Sequence, residues 1–438
     1  MTSSRIVSVV AAGSLALSLS ACRGLDRTYD CPTQGEKFMK AVAEEEFELL
    51  PEITDTGNFT MGMMISEDGI NRLLSGIVGA KIPFASEMQL GPTLVHFEPT
   101  TTPVIDVANL PECGQCVLFS LDFDFDVTQG DSGVTTGLGS AFLSIPIYLQ
   151  DKEDGSVALI AAYEQATVNQ MDLNVNGFDS KDHEAISGAL ALLATDTVRE
   201  QYGPTEMLSM GTIEIGNGSV KAKTRRLFVV PELDAIVLGM ETNVPLPTGA
   251  GLNQPDKLPE GIPMAILFDP NLILAISQRM IAEGEIPRRY GDDGMANPDG
   301  PYGVTLWGMQ ASSLADNRLD TDFRVWRTDG EFCGFADLEM PMELLVDTSQ
   351  RIGVNALKPE IIGGEGVGEL AEDHKELIDK NQQLLDTFKA ALADQVGLTV
   401  NYRQIGVEGS TIFFDPKTIK VTSDAIAVLI DFVVAAEE

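Results

Sequence analysis

Apolar and polar positions along the 438-residue chain follow the same order twice. In each copy a short apolar strand leads into an amphipathic helix, and alternating strands then lead into a long helix and closing strands. In the first copy the opening strand is Met61–Ile65, the amphipathic helix is Glu67–Ala80 and the long helix is Lys181–Tyr202. In the second copy they are Pro263–Phe268, Pro270–Gly284 and Ala371–Val396. An offset of about 200 residues is too long for a solenoid unit and fits a duplicated domain.

Each amphipathic helix carries an apolar face at helical spacing. Ser66 is a candidate N-cap for the first helix, and Asp269-Pro270 places a cap residue before a proline at the first helical position of the second. The apolar faces consist of Ile70, Leu73, Leu74 and Ile77, and of Ile273, Ile276 and Met280. These residues are the first candidates to line an apolar ligand site, and the alternative is that they pack only against protein.

The segments between the helices have the alternation of half-buried strands. In Leu121–Val127 apolar and acidic residues alternate without a break, which predicts one buried and one wet face. We also predict a helix at Glu36–Leu50 and strands at Val157–Val175, Gly353–Ile362 and Thr399–Ile405. Helices and antiparallel strands together indicate the α+β class.

Prolines and glycines divide the two copies. Five prolines and three glycines fall between residues 245 and 263, which predicts a linker at 244–262. The predicted organisation is a signal peptide (1–21), a tether with one helix (22–56), a first repeat (57–243), the linker, and a second repeat (263–438).

The first residues are typical of a processed export signal. Arg5 precedes the short apolar run Ile6–Leu19, and Leu19-Ser20-Ala21-Cys22 then resembles the bacterial lipobox. The resemblance implies that Cys22 carries the acyl chains, and that Arg23 after it favours the outer membrane of a Gram-negative bacterium, on its periplasmic or its surface side. An ordinary secretory signal with a chance cysteine is the alternative. No later apolar stretch is long enough to cross a bilayer, so we expect a lipid anchor only.

Charge narrows the choice of partners. Acidic residues outnumber basic ones 66 to 29, for a net charge of −37, so nucleic acid is not expected as a ligand. The best basic cluster is Lys221, Lys223, Arg225 and Arg226, which we interpret as a solvated strand face more readily than as a phosphate site.

Four cysteines remain besides Cys22. An even number in an exported chain indicates disulfides, with three possible connectivities. Cys113 and Cys116 flank two residues and are followed by a strand, not by the helix that a redox motif needs, so we favour a structural bridge there and a Cys31–Cys333 pair. Zinc is not expected, because neither histidine nor a second pair completes a tetrahedral set.

The order of elements resembles the tubular lipid-binding (TULIP) superfamily, and two copies joined by a proline-rich linker resemble its bactericidal/permeability-increasing protein family. The matching positions are the opening segments, the two long helices and the linker. The resemblance implies two tandem domains, each a strongly curved antiparallel sheet wrapped around a long helix, with apolar tunnels that hold acyl chains. Family members in host defence bind lipopolysaccharide through a cationic tip, and this acidic chain departs from that pattern.

The sequence therefore predicts an envelope lipoprotein that binds, and in one version transfers, lipid, with bound lipid as its ligand and no other cofactor. A structural lipoprotein that has a filled core and docks an envelope protein is the alternative. An enzyme is not expected, because His96, His183 and His374 are far apart and no nucleophile elbow, P-loop or zinc-protease motif occurs. The acidic loops Gly291–Gly303 and Asp316–Asp322 lack the spacing of a calcium loop, so we expect ordinary turns and no metal site.

Overall fold

The structure is a computed structural model. It describes residues 31–53, 59–77, 86–90, 93–101, 104–108, 115–129, 134–175, 180–201, 203–215, 218–246, 251–252, 256–330, 333–365, 382–400, 404–407, 410–422 and 425–436. The predicted signal peptide, Cys22, Cys113 and the first part of the second long helix (371–381) lie outside the described residues.

A central sheet joins the two repeats. Its strands are β1 (Met61–Ser66), β10 (Ile213–Ile215), β11 (Val220–Val230), β12 (Ala235–Thr242), β13 (Met264–Phe268), β20 (Gln404–Val407), β21 (Ser410–Val421) and β22 (Ile426–Ala436). They lie in the order β10-β11-β12-β1-β13-β22-β21-β20, so the two opening strands are neighbours at the centre and each half repeats the other in reverse.

Backbone contacts at the centre of this sheet follow a two-fold relation. The Ser66 N–H donates to the Pro263 carbonyl at 2.9 Å, and the Asp269 N–H donates to the Thr60 carbonyl at 2.8 Å. The shift along the chain that relates Thr60 to Pro263 also relates Ser66 to Asp269. These reciprocal bonds are the structural signature of the duplication inferred from the sequence.

The same β-bulge occurs in both halves. The register of β11 against β12 shifts between Thr224 and Arg226, and that of β21 against β22 shifts between Pro416 and Thr418. The first shift begins at Thr224, whose partner Met240 also pairs with Met61 at the start of β1. The second begins at Pro416, whose partner Ile430 also pairs with Met264 at the start of β13. A bulge increases local twist, so the two halves of the sheet bend at matching positions.

Each repeat adds its own curved antiparallel sheet. The first contains β2 (Ser86–Leu90), β3 (Thr93–Pro99), β4 (Val104–Ala108), β5 (Cys116–Gln129), β6 (Val134–Asp151), β7 (Val157–Ala162), β8 (Thr167–Val175) and β9 (Pro204–Met210). The second contains β14 (Arg289–Tyr290), β15 (Tyr302–Ala311), β16 (Arg318–Arg327), β17 (Gly334–Val346), β18 (Ile352–Ala356) and β19 (Glu360–Glu365). The predicted α+β class, with two tandem, strongly curved antiparallel sheets, is confirmed.

Five helices are described: α1 (Cys31–Glu45), α2 (Glu67–Ile77), α3 (Ser180–Gln201), α4 (Pro270–Glu283) and α5 (Gln382–Val400). Helix α3 packs on β8, and α5 packs on β18 and α4. The predicted caps are present, because the Ser66 hydroxyl accepts the Gly69 N–H at 3.1 Å and the Asp269 carboxylate accepts the Asn271 N–H at 2.7 Å. Gly284 ends α4 with a positive φ of 81°, a conformation that favours glycine.

Some predicted boundaries are wrong. The first helix begins at Cys31 and ends at Glu45, earlier than the predicted Glu36–Leu50. The predicted strand Val157–Val175 is interrupted by a 3-10 turn at Tyr163–Gln165, and the predicted strand Gly353–Ile362 is two strands. Thr399 belongs to α5 and not to a strand, because its hydroxyl donates to the Gln395 carbonyl one turn earlier.

The proline-rich segment packs on the outer face of the central sheet where the structure describes it. Leu252, Leu258 and Ile262 lie against an apolar cluster that includes Met64 and Leu267. The Leu252 N–H donates to the Phe59 carbonyl at 2.8 Å. The central strands β1, β12 and β13 are therefore buried on both faces of the sheet. Among the described residues, no helix has the length and apolar character to cross a bilayer.

Candidate hydrophobic binding site

The inner face of the first repeat is built by alternation along its two longest strands. In β5 the side chains of Phe119, Leu121, Phe123 and Phe125 are buried, and the acidic residues between them point to the other face. In β6 every second residue from Ala141 to Ile147 is likewise buried. The predicted alternation of Leu121–Val127 is thus present, with the apolar set inside the curve.

The predicted lining residues of α2 are only partly described. Ile70 and Leu73 are buried in the core that faces the first repeat. The side chains of Leu74 and Ile77 lie outside the description.

The predicted lining residues of α4 are tightly packed. Ile273, Ile276 and Met280 are between 0 and 1% exposed and belong to the second repeat's side of the core. The structure therefore places them where they contact protein on every side.

A small apolar cavity of about 10 Å³ lies next to the central sheet. Its lining includes Leu73 from α2, Met63 from β1, Leu208 from β9 and Phe414 from β21. This volume holds about one water-sized sphere and no hydrocarbon chain. It lies at the end of the first repeat where that repeat's interior meets the central sheet.

The outer face of the first repeat has a wider, polar depression of about 430 Å³. It is lined by Glu98, Asp124 and Asp126, with His96 and Asn174 beside them. His96 thus belongs to this outer depression, and the side chains of His183 and His374 lie outside the description. Three carboxylates at this surface disfavour anionic ligands.

Helix α1 lies on the second repeat, although it precedes the first in the chain. A disulfide joins Cys31 to Cys333, which is the pair that the sequence favoured. The ring of Phe38 contacts Trp326 with centroids 5.9 Å apart, and Gly303 lies under it, where a Cβ would come within 2.5 Å of the ring. Cys116 is also disulfide-bonded, and its partner lies outside the described residues.

The end of α1 is fixed by a buried carboxylate. Glu45 is 6% exposed, and it accepts hydrogen bonds from Arg288 at 2.6 Å and from the Leu306 N–H. Burial raises the pKa of Glu45 to about 7, although Arg288 and the Leu306 N–H both act to lower it. No periodicity predicts this docking, because its contacts join segments far apart in the chain.

The basic cluster is engaged in ion pairs. Lys223 Nζ lies 2.8 Å from Asp151, and Arg225 lies 3.7 Å from the same carboxylate and donates to the Ile53 carbonyl. The hydrogen bond from Lys223 lowers the pKa of Asp151. The cluster is thus partly neutralised by Asp151.

The acidic loop Gly291–Gly303 consists of turns in the structure. The Asp293 carboxylate accepts the Met295 N–H at 3.0 Å, and the Asn297 side chain accepts the Asp299 N–H at 3.1 Å. Such bonds are the ordinary chemistry of Asx turns. Within the described part of the chain, no group of three or more His, Cys, Asp and Glu side chains could hold a metal ion.

Comparisons with known proteins find similarity only at the level of structure. No family model and no curated protein matches the chain. A crystal structure of lipopolysaccharide binding protein is 10% identical, covers 86% of this chain and 99% of its own, and has a TM-score of 0.34. P47 of Clostridium botulinum E1 is 10% identical over 85% of this chain and 99% of its own, at a TM-score of 0.46. P47 from Clostridium botulinum A2 is 8% identical over 85% and 97%, at 0.45.

Proposed function

We propose that this protein binds lipid, or another ligand with a long hydrocarbon chain, inside its curved sheets. The observation that carries the proposal is the continuous apolar inner face of β5 and β6, which a duplicated, strongly curved fold encloses together with a long helix. Each methylene that a ligand buries on such a face contributes about 0.8 kcal/mol, so a long acyl chain gains enough to bind without charged contacts.

The proposed setting is the outer membrane of a Gram-negative bacterium, with the chain anchored through acyl groups on Cys22. Anionic headgroups repel the carboxylates of this acidic chain, so in this proposal the acyl groups, and not the protein surface, hold it at the membrane. The role is binding, and in its stronger form transfer between membranes, without catalysis.

The test is to identify what copurifies with the full chain. A Cys22→Ser variant, exported without the anchor, is purified without detergent, and its organic extract is analysed by mass spectrometry. We expect lipid in a fixed ratio to protein and little in an unrelated exported protein purified in parallel. A lipid-free preparation that has unchanged stability and takes up no added fatty acid would refute lipid binding.

The anchor is tested separately by metabolic labelling with an alkyne-bearing fatty acid. Wild-type protein should acquire the label and fractionate with outer membranes. The Cys22→Ser variant should acquire none. Equal labelling of the two proteins would exclude Cys22 as the acylated residue.

A structural lipoprotein with a filled core is the second candidate function. The fully packed surroundings of Ile273, Ile276 and Met280 favour it for the second repeat. In this case the lipid-free protein should unfold at the same urea concentration as protein that has been incubated with fatty acid, since a ligand that binds only the native state raises its stability.

A further inference from the structure

The two repeats share a backbone plan but differ in how well their interiors are filled. The long helices show the difference most directly. On α3, the inward residues Leu190, Ala191, Ala194 and Val198 keep 6 to 9% of their surface exposed. On α5, the inward residues Leu384, Phe388, Leu392 and Val396 are all 0% exposed, and Leu385 is 3% exposed.

Inward residues of the sheets are likewise more exposed in the first repeat than in the second. In the first repeat the inward residues Phe97, Leu121 and Leu173 are each 7% exposed. In the second, Leu306, Phe323 and Leu338 are each 0% exposed. An inward side chain that keeps several per cent exposure borders space that a water-sized sphere can enter, whereas a side chain at 0% contacts other atoms on every side.

The aromatic residues also pack differently in the two interiors. The rings of Phe123 and Phe125 lie on the neighbouring glycines of β6, Gly139 and Gly137, which pair with them across the sheet. A Cβ at Gly139 would come within 2.6 Å of the Phe123 ring and 2.9 Å of Leu173. The absence of side chains on these glycines lets the rings lie along the sheet instead of standing toward α3.

In the second repeat the equivalent space is closed by an aromatic pair. Phe323 projects from β16 to Phe388 on α5, with ring centroids 5.1 Å apart. In the first repeat the described contacts of Phe123 are with Phe97, at 5.3 Å, and with Phe125, at 6.2 Å, which are both residues of the same sheet. Sheet and helix are therefore bridged by aromatic rings in the second repeat only, as far as the description reaches.

We infer that the hydrocarbon ligand occupies the first repeat alone, between α3 and the inner face of β5, β6 and β8, and that the second repeat is a solid support. This inference rests on the proposed function and restricts it to one of the two interiors. It assigns the α4 residues Ile273, Ile276 and Met280 to the core and Leu121, Leu173 and Ala194 to the ligand site.

A photoreactive ligand tests the location in the intact chain. A fatty acid with a diazirine near its methyl end is bound to the full-length Cys22→Ser protein and irradiated, and the modified peptides are identified by mass spectrometry. We expect label on residues 116–129, 134–145 and 180–201. Label on residues 270–283 or 382–400 would overturn the inference while leaving lipid binding intact.

Two matched substitutions provide an independent measurement. Ala194 and Ala393 lie on the long helices of the two repeats and are both 9% exposed. Ala194→Phe should weaken binding of a fluorescent fatty acid about tenfold, because the ring displaces roughly two methylenes of ligand. Ala393→Phe should change binding less than about twofold.

The possible results of these measurements distinguish the restriction to the first repeat from lipid binding itself. Equal weakening by both substitutions, or weakening by Ala393→Phe alone, would refute the restriction to the first repeat. Absence of saturable binding to the wild-type protein would refute the proposed function and this inference together. Urea unfolding of both variants checks that they are folded, and the photolabelling result stands without either of them.

Discussion

Replacing Glu45 with glutamine tests whether a buried carboxyl group makes the attachment of α1 depend on pH. Glu45 is buried beneath the end of α1 and lies 2.6 Å from Arg288. Burial raises its pKa from 4.5 to about 7 against the opposing effect of that guanidinium. Glutamine keeps the shape of the side chain and removes its titration.

Proton linkage determines whether the stability of the fold rises or falls with pH. Because the pKa of Glu45 is higher in the folded than in the unfolded state, the folded protein holds this proton where the unfolded chain has lost it. The stabilising effect is therefore complete below pH 4.5 and is lost as the pH rises through about 7. Between about pH 5 and about pH 8 the expected loss is about 2.5 kcal/mol.

The measurement is urea unfolding of wild type and Glu45→Gln at several pH values. The difference between the two proteins removes the titration of all other groups. Glu44→Gln, a substitution of an exposed carboxylate on the same helix, is the control and should follow wild type at every pH. A wild-type-minus-Glu45→Gln difference that stays constant across this range would show that the Glu45 carboxyl does not titrate there.

Three further changes have expected outcomes. Replacing Cys31 and Cys333 with serine should lower the free energy of unfolding by about 2–5 kcal/mol. In reductant, which also breaks the disulfide of Cys116, wild type and variant should have the same thermal unfolding midpoint. Arg72→Ala removes a 2.7 Å hydrogen bond from α2 of the first repeat to Asp431 on β22 of the second. It should lower the free energy of unfolding in urea by about 1–2 kcal/mol, and an unchanged midpoint would show that this contact does not stabilise the protein. Burial and the neighbouring carboxylates raise the pKa of Glu339. Glu339→Gln should therefore stabilise the protein by about 0.5 kcal/mol at neutral pH and not in acid, where Glu339 is protonated. Urea unfolding at the two pH values measures this difference.

Local signals in the sequence predicted the parts of the fold that depend on neighbouring residues. Caps and periodicity located the starts of α2 and α4, because Ser66 and Asp269 bond to backbone N–H groups only two or three residues away. Alternation located β5 for the same reason. The duplicated order of these elements then led to the tandem arrangement, which the central sheet confirms.

Contacts between distant segments could not be predicted in this way. The docking of α1 depends on Phe38 fitting over Gly303 and on Glu45 meeting Arg288, and neither pair leaves a local pattern. The even number of cysteines was the single indication that this region is tied to the second repeat. Thr399 shows the opposite error, since a β-branched residue suggested a strand where packing keeps the last turn of α5 helical.

The difference in packing between the two interiors shows that a duplicated backbone does not specify a duplicated interior. Caps, bulges and strand order are kept in both halves because they determine the backbone, and they are the features that a resemblance of fold detects. The room inside each half depends on a few side chains, such as Gly137 and Gly139 beneath two phenylalanines, or Phe323 against Phe388. Glycines pair with the aromatic residues of one repeat, and an aromatic bridge joins sheet and helix in the other, so two copies of one backbone plan have different interior packing. The binding capacity of this fold therefore has to be determined for each repeat from its own side-chain packing.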